Sequence, residues 1–194
     1  MFSDLRAALR PAIVFTLGMV LLLGIAYPLI LTGIGQTLFS HQANGSLIVD
    51  HGKVVGSELI GQGFSSDRYF HGRPSAAGNG YDATASSGSN FGPTSKALVD
   101  RVKGDVAKLS QQSPGAVLPP DLATASASGL DPDISPEAAF FQAARVAKAR
   151  NMPLDQVRQL IQAHIQTPMP SFLGDPHVNV LMLNRALDAV AAKA

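Results

Sequence analysis

The feature that most constrains this sequence is a long uncharged stretch near its N-terminus. No Asp, Glu, Lys or Arg occurs between Arg10 and Asp50, and residues 12–34 are almost wholly apolar. As a helix, residues 12–34 would span roughly 34 Å, against about 30 Å for the hydrocarbon core of a bilayer. Each Leu, Ile, Val or Phe at the centre of such a helix favours insertion by about 0.3 to 0.6 kcal/mol. The sequence therefore predicts a transmembrane helix over residues 12–34.

The charges that flank this segment predict its orientation. Arg6 and Arg10 precede it, and no Lys or Arg follows until Lys53. Because cytoplasmic flanks are rich in basic residues, we expect residues 1–11 in the cytoplasm and the later residues outside. A cleaved signal peptide is the alternative, but its apolar region is only about 7–15 residues long and ends in a small-residue cleavage site. Residues 35–40 lack that site, so the sequence predicts an uncleaved anchor.

Composition predicts one polar domain after the anchor. We expect a linker over residues 35–44 and a domain over residues 45–194, which is long enough to bury a core. The chain has 15 Lys and Arg against 14 Asp and Glu, and no basic stripe; this balance argues against nucleic-acid binding. Cysteine is absent, which excludes disulfides, thiolate metal sites and thiol nucleophiles.

Residue patterning in this domain predicts short strands followed by helices. Residues 45–56 are typical of a β-hairpin that turns at Asp50-His51-Gly52, and residues 57–64 are compatible with a further strand. Apolar residues at helical spacing predict four helices. They are residues 94–111 with Thr94 as the N-cap, residues 135–150 capped by Ser135, a helix marked by Leu154, Val157, Ile161 and Ile165, and a last helix marked by Val180, Leu183, Leu187 and Val190. Strands and helices that do not alternate indicate an α+β domain.

Between the hairpin and the helices, residues 65–93 are rich in Gly, Ser, Asn and Ala and show no periodicity. A segment of this length without secondary structure is usually functional or disordered. Tyr69, Phe70, Tyr81 and Phe91 favour packing over disorder, so we expect an ordered loop.

Motifs for catalysis and metal binding are not found. The glycine-rich segments 78–80 and 88–92 lack the preceding strand and following helix of a phosphate-binding loop, so we predict tight turns there. The five histidines show no i,i+3 or i,i+4 spacing that would suggest zinc, and no Gly-x-Ser-x-Gly elbow occurs. Residues 131–133 offer two carboxylates, but the capping Ser135 that follows favours a turn into the helix. We expect His71 to donate a structural hydrogen bond.

Several sequence blocks are similar to the signature segments of one family. They are Ser57–Gln62, Tyr69–Ala76, Gly88–Thr94, Pro120–Ser126, Gly129–Pro132 with Ile134–Ala139, and Val178–Leu181. The chain resembles the C subunit of the Kdp-type potassium-transporting ATPase, the KdpC family, from the anchor to the final helix. The motif residues in the long loop are Tyr69, His71, Gly72, Arg73, Pro74, Ser89, Asn90, Gly92 and Pro93.

This resemblance implies an accessory, non-catalytic subunit of a high-affinity, ATP-driven potassium uptake complex in a bacterial inner membrane. It implies three protein partners: a channel-like potassium subunit, a P-type ATPase catalytic subunit and a small membrane subunit. ATP and K⁺ would then act through the complex, with no intrinsic cofactor. It also implies that this subunit acts as a catalytic chaperone, which raises the ATP affinity of the hydrolytic subunit. The chain itself lacks an Asp-Lys-Thr-Gly-Thr motif, and one helix cannot enclose an ion path.

By the same resemblance, Gln142 is the candidate ATP contact. A domain outside the membrane cannot reach cytoplasmic ATP, so a contact of Gln142 with a partner subunit or solvent is an equal alternative. Two other functions also remain open: an envelope-anchored ligand-binding module that uses residues 69–93, and an anchored hydrolase built on serines and His71.

The anchor carries a stripe of small residues that predicts helix–helix docking. Gly24, Pro28 and Thr32 recur at i+4, and Gly35 continues the stripe. Helices in lipid associate through such close-packing faces, because apolar burial alone does not drive them together. We expect this stripe to face a partner subunit. The residues expected to face lipid are Leu22, Leu23 and Ile30.

Overall fold

The structure is a computed structural model that describes residues 2–113 and 115–191. The chain divides into two compact units, Met1–Leu47 and Ile48–Ala194. The first unit is a long helix composed of α1 (Phe2–Met19), a π-helical segment (Val20–Ala26) and α2 (Tyr27–Leu38), followed by the short helix α3 (Ser40–Ala43). Residues Arg6–Leu38 are long and apolar enough to cross a membrane, and the helix continues into the predicted linker.

Pro28 explains the π-helical segment. The N–H of Tyr27 donates to the carbonyl of Leu22, five residues back. In a regular α-helix the ring of Pro28 would clash with the carbonyl of Gly24, and Pro28 has no N–H to donate to it. A wider turn before the proline accommodates both defects, as π-bulges do elsewhere.

The second unit begins with the predicted hairpin, which is confirmed. Strands β1 (Leu47–Asp50) and β2 (Lys53–Ser57) pair through a turn in which His51 and Gly52 have φ of 47° and 78°. The further strand over residues 57–64 does not form. Instead the N–H of Leu59 donates to the hydroxyl of Ser57 at 3.1 Å, a local side-chain bond that competes with strand pairing.

The four predicted helices are present as α4 (Lys96–Gln112), α5 (Pro136–Arg150), α6 (Leu154–Ala163) and α7 (Val180–Ala191). The third ends earlier than predicted, because Ile165 leaves the helix and pairs with Val178 in a strand. A three-stranded antiparallel sheet was not anticipated. Its strands are β3 (Asp133–Ile134), β4 (Ile165–Gln166) and β5 (His177–Asn179), in the order β3-β5-β4. This mixture of helices and short strands after one N-terminal apolar helix confirms the α+β fold class.

Helix α5 packs against α6 and lies at the centre of the core. The predicted cap at Ser135 is confirmed, because its Oγ accepts the N–H of Ala138 at 3.0 Å. The predicted cap at Thr94 is wrong. The N–H of Ser95 donates to the carbonyl of Gly92, so this turn delays the helix by one residue and Ser95 takes the N-cap position. The largest fully buried side chains are Phe70, Val146, Val157, Ile161, Val178, Leu183, Asn184 and Leu187.

Candidate functional site

Residues 66–71 form an irregular segment whose backbone is held by side chains. Outside a regular ladder, buried N–H and C=O groups must find other partners. Here the carbonyls of five consecutive residues accept hydrogen bonds from side chains on α5 and α7. The pairs are Asp67 with Arg145 at 2.7 Å, Arg68 with Arg150 at 2.6 Å, Tyr69 with Arg145 at 3.0 Å, Phe70 with Asn184 at 3.0 Å and His71 with Gln142 at 3.0 Å. We call Gln142, Arg145, Arg150 and Asn184 the clasp.

Asn184 holds both backbone groups of Phe70. Its Oδ1 accepts the N–H of Phe70 at 2.8 Å, and its Nδ2 donates to the carbonyl of the same residue at 3.0 Å. The Asn184 side chain is 1% exposed and Phe70 is fully buried. The paired amide therefore satisfies two polar groups that would otherwise be lost in the core.

Gln142 holds His71 in the same way. Its Oε1 accepts the N–H of His71 and the Nη2 of Arg145, each at 2.8 Å, while its Nε2 donates to the carbonyls of His71 at 3.0 Å and Ala138 at 3.3 Å. A side-chain amide has two donor hydrogens and two acceptor lone pairs. All four are in use, and the residue is 3% exposed. Contact of Gln142 with ATP stays a prediction, and it would require these bonds to break.

Arg150 and Tyr69 close the other end of the clasp. The Arg150 guanidinium lies 4.8 Å from the Tyr69 ring centroid and 2.8 Å from a carboxylate oxygen of Asp188. The Tyr69 hydroxyl donates to the second oxygen of Asp188 at 3.2 Å. A buried guanidinium needs a charged or hydrogen-bonding partner, and Arg150 has a carboxylate, a carbonyl and an aromatic face.

The surroundings of His71 disfavour the charged form of its imidazole. Burial lowers the pKa of its imidazole, and the positive charge of Arg145 lowers it further, against weaker opposing effects of the Ser66 carbonyl and Asp67. Its Nε2 lies 3.1 Å from the carbonyl oxygen of Ser66. Because a carbonyl only accepts, the ring N–H is the donor. The expected structural hydrogen bond of His71 is confirmed.

This lowered pKa predicts that the domain loses stability in mild acid. The folded state binds fewer protons than the unfolded chain, so the His71 contribution is complete above the unfolded pKa of about 6.5 and is lost as the pH falls below it. We expect His71→Gln, which keeps a donor near Nε2, to flatten the decline in thermal midpoint between pH 7.5 and 5.5. His51→Gln is the control, because the His51 side chain is 97% exposed. Equal pH slopes for His71→Gln and the unaltered chain would refute this role.

The second half of the loop is fixed by a separate set of contacts. The Arg73 side chain forms a 3.0 Å ion pair with Asp131, and the Arg73 carbonyl accepts a hydrogen bond from the Tyr81 hydroxyl at 2.6 Å. Burial, and then the nearby negative charge of Asp131, raise the pKa of Tyr81 to about 12. A side chain at Gly72 would collide with the Tyr81 hydroxyl. A larger residue at position 72 would therefore displace the Tyr81 hydroxyl from the Arg73 carbonyl.

The remaining motif residues lie outside the clasp. The tight turn predicted at 78–80 is confirmed, with positive φ at Gly78 and Gly80, whereas the one predicted at 88–92 is wrong: these residues form an irregular segment in which Asn90 has positive φ. Ser89 is half-buried, whereas Asn90, Gly92 and Pro93 are exposed. The expected packing of aromatic side chains is confirmed for Phe70 and is wrong for Phe91, which lies in this irregular segment and is 43% exposed.

In the N-terminal unit, the small-residue stripe lies on the long helix. Gly24, Pro28 and Thr32 are exposed, and Gly35 is half-buried beside Ala43 of α3. The docking of this stripe on a partner stays a prediction. Over residues 2–113 and 115–191, no three His, Cys, Asp or Glu side chains are grouped to hold a metal ion.

Comparison with known proteins decides the family. The model of the KdpC family, described as the K⁺-transporting ATPase c chain, matches residues 9–189. The chain belongs to the KdpC family. The potassium-transporting ATPase KdpC subunit of Bradyrhizobium diazoefficiens is 56% identical to this chain, over 95% of this chain and 98% of the relative. The KdpC subunit of Caulobacter vibrioides is 59% identical to this chain, over 97% of this chain and 94% of the relative. The KdpC subunit of Methylobacterium nodulans is 52% identical, over 95% of this chain and 98% of the relative.

Membership in the KdpC family makes the chain a membrane-associated subunit of a potassium-transporting ATPase complex, without a catalytic site of its own. The clasp was missed by sequence reasoning apart from Gln142. Asn184 carried the one available signal, since a polar amide stands beside Leu183 and close to Leu187 on an otherwise apolar helix face.

Proposed function

We propose that this chain assembles and stabilises a high-affinity potassium uptake complex in a bacterial inner membrane. Its partners are a channel-like potassium subunit, a P-type catalytic subunit and a small membrane subunit. The observation that carries this proposal is the long helix of the N-terminal unit, whose apolar side chains are exposed along Arg6–Leu38. Such a helix supplies contacts to lipid and to other membrane helices, and the folded domain supplies a second surface.

The domain of this subunit lies on the extracytoplasmic side in our proposal. Arg6 and Arg10 support a cytoplasmic N-terminus, because Lys and Arg concentrate on cytoplasmic flanks. ATP and K⁺ act through the partner subunits. The chain raises the ATP affinity of the hydrolytic subunit through protein contacts, while Gln142 positions the loop at His71. This role of Gln142 is supported by its four internal hydrogen bonds.

Co-purification tests assembly through the anchor. A tagged chain, expressed with the other subunits, is expected to retain them in mild detergent. Gly24→Leu combined with Thr32→Leu is expected to reduce their recovery several-fold, because the larger side chains prevent close helix approach. Leu22→Phe adds bulk on the face expected to contact lipid and serves as the control. Full recovery with the double variant would refute docking through the stripe, and a tagged chain that purifies alone would refute assembly.

Membrane sidedness can be tested cleanly because the chain has no cysteine. Single-cysteine variants at Ser3 and Asp155 would be treated with a membrane-impermeant maleimide in spheroplasts. We expect labelling at position 155 in intact spheroplasts and at position 3 only after permeabilisation. The reverse pattern would place the domain in the cytoplasm and restore direct ATP contact as the better explanation of Gln142.

A further inference from the structure

A cleft of about 700 Å³ lies in the domain, and the ion pair of Arg73 with Asp131 forms part of its lining. One wall is the segment Ala116–Asp121. The other is formed by β3, the start of α5 and residues 175–177. Both walls belong to the second unit, Ile48–Ala194.

The cleft offers apolar surface to an occupant. Phe141 and Ile134 line it from the core side, while Val117 stands on its rim with 91% of its surface exposed. The residues on the rim segment, Leu118 to Pro120, are also apolar. Apolar surface bounded by a polar rim marks binding grooves and protein interfaces more often than ordinary surface.

The charge of the cleft selects the occupant. The ionisable side chains of its lining are five carboxyl groups, one guanidinium and one imidazole: Asp121, Asp131, Asp133, Glu137, Asp175, Arg73 and His177. Asp131 is paired with Arg73, and Asp121 accepts the N–H and hydroxyl of Ser135 at 2.8 and 3.2 Å. Among the residues that the structure describes, no cation pairs with Glu137 or Asp175, and both are exposed. An occupant that carries a positive charge is therefore favoured.

Strand β3 at the edge of the sheet is not available for pairing with the backbone of an occupant. β3 is an edge strand, a common site for adding a peptide strand. Here the N–H of Asp133 donates to its neighbour Asp131 at 3.1 Å, and the N–H of Ser135 donates to Asp121 at 2.8 Å. Because carboxylates already occupy these donors, recognition relies on charge and apolar contact rather than on strand pairing.

We propose that this cleft docks a basic, aliphatic segment of another subunit of the transport complex, with a Lys or Arg directed at Glu137 and Asp175. This inference rests on the proposed assembly function. A second copy of this chain is a competing occupant, because Lys53 stands beside exposed Val54 and Val55 in β2, and the experiment below distinguishes it from a partner subunit. A bare metal ion would leave the apolar wall unused.

Photo-crosslinking in the assembled complex tests the proposal. Val117 would be replaced by p-benzoylphenylalanine, and the crosslinked peptide would be identified by mass spectrometry. We expect a peptide of a partner subunit that contains Lys or Arg beside aliphatic residues. Glu137→Lys with Asp175→Lys is expected to lower the yield about ten-fold, equivalent to about 1.4 kcal/mol. Glu137→Gln with Asp175→Asn, which keeps the side-chain shapes, is expected to give an intermediate yield.

Asp155→Lys is the matched control. Asp155 and Glu137 each lie in the first turn of a helix, where an acid interacts with the helix dipole, but only Glu137 lines the cleft. The control should leave the yield unchanged. Crosslinking to a second copy, to lipid or to a small molecule would overturn the inference, as would no crosslink or a yield that ignores charge reversal. If the partners still co-purify in those cases, the proposed function stands. If they do not co-purify with the unaltered chain, the proposed function fails.

Discussion

Asn184→Ala is expected to destabilise the folded domain by about 2 to 6 kcal/mol, since each of two orphaned polar groups costs about 1 to 3 kcal/mol. The variant removes the partner of both the N–H and the carbonyl of Phe70, in a site where Asn184 is 1% exposed. For a chain of this size, where 1 kcal/mol shifts the thermal midpoint by about 2 to 4 °C, the midpoint should fall by roughly 4 to 24 °C.

Circular dichroism of the full chain in detergent measures this effect. Gln159→Ala, at an exposed position of helix α6, removes an amide of the same kind without touching the loop. It should shift the midpoint by no more than a degree or two. A similarly small shift for Asn184→Ala would show that the Phe70 backbone does not depend on this amide.

Gln142→Ala is expected to cost about 2 to 4 kcal/mol for the same reason, with the lower ceiling set by the half-buried position of His71. It also removes the acceptor that holds Nη2 of Arg145. Gln142→Glu keeps the acceptor for Arg145 and for the His71 N–H but loses the donor to the His71 carbonyl. Its thermal midpoint should therefore lie between those of Gln142→Ala and the unaltered chain. Equal midpoints for all three chains would contradict a structural role.

Periodicity and helix caps were sufficient to predict most of the regular structure. Helix α5 is an example, because Ser135, Pro136 and Glu137 each favour a helix start and the structure places the start there. The strands β3, β4 and β5 have two or three residues each, and such short segments show no alternation to detect. Their pairing depends on contacts distant in sequence, as between Ile134 and Val178.

The clasp was less accessible to sequence reasoning for a similar reason. Arg145 and Arg150 resemble ordinary basic residues near a helix C-terminus, where they interact favourably with the helix dipole. Their hydrogen bonds instead reach the carbonyls of residues 67–69, far away in sequence. A bond to a backbone carbonyl needs no particular residue in the loop, so the loop sequence carries no matching signal.

Gln142 has two candidate roles, one implied by the family resemblance and one supported by its contacts in the structure. The resemblance directed attention to this one side chain on α5 as a nucleotide contact, and the structure places it at the junction of α5 with the motif residue His71. A residue that orders a loop can influence a partner subunit without touching its ligand. Measuring both the thermal midpoint and the KM for ATP of one Gln142 variant therefore separates the loop-ordering role from direct nucleotide contact.

The KM for ATP of the assembled complex carrying Gln142→Ala tests the central claim, that this subunit acts through its fold and its contacts. It would be measured at a temperature where both chains are folded, beside Asn184→Ala, which loosens the same loop from α7. We predict that the two variants change KM alike, and by less than about two-fold while the complex remains assembled. A rise of about ten-fold, equivalent to about 1.4 kcal/mol, with Gln142→Ala alone would instead establish direct nucleotide contact and contradict this account.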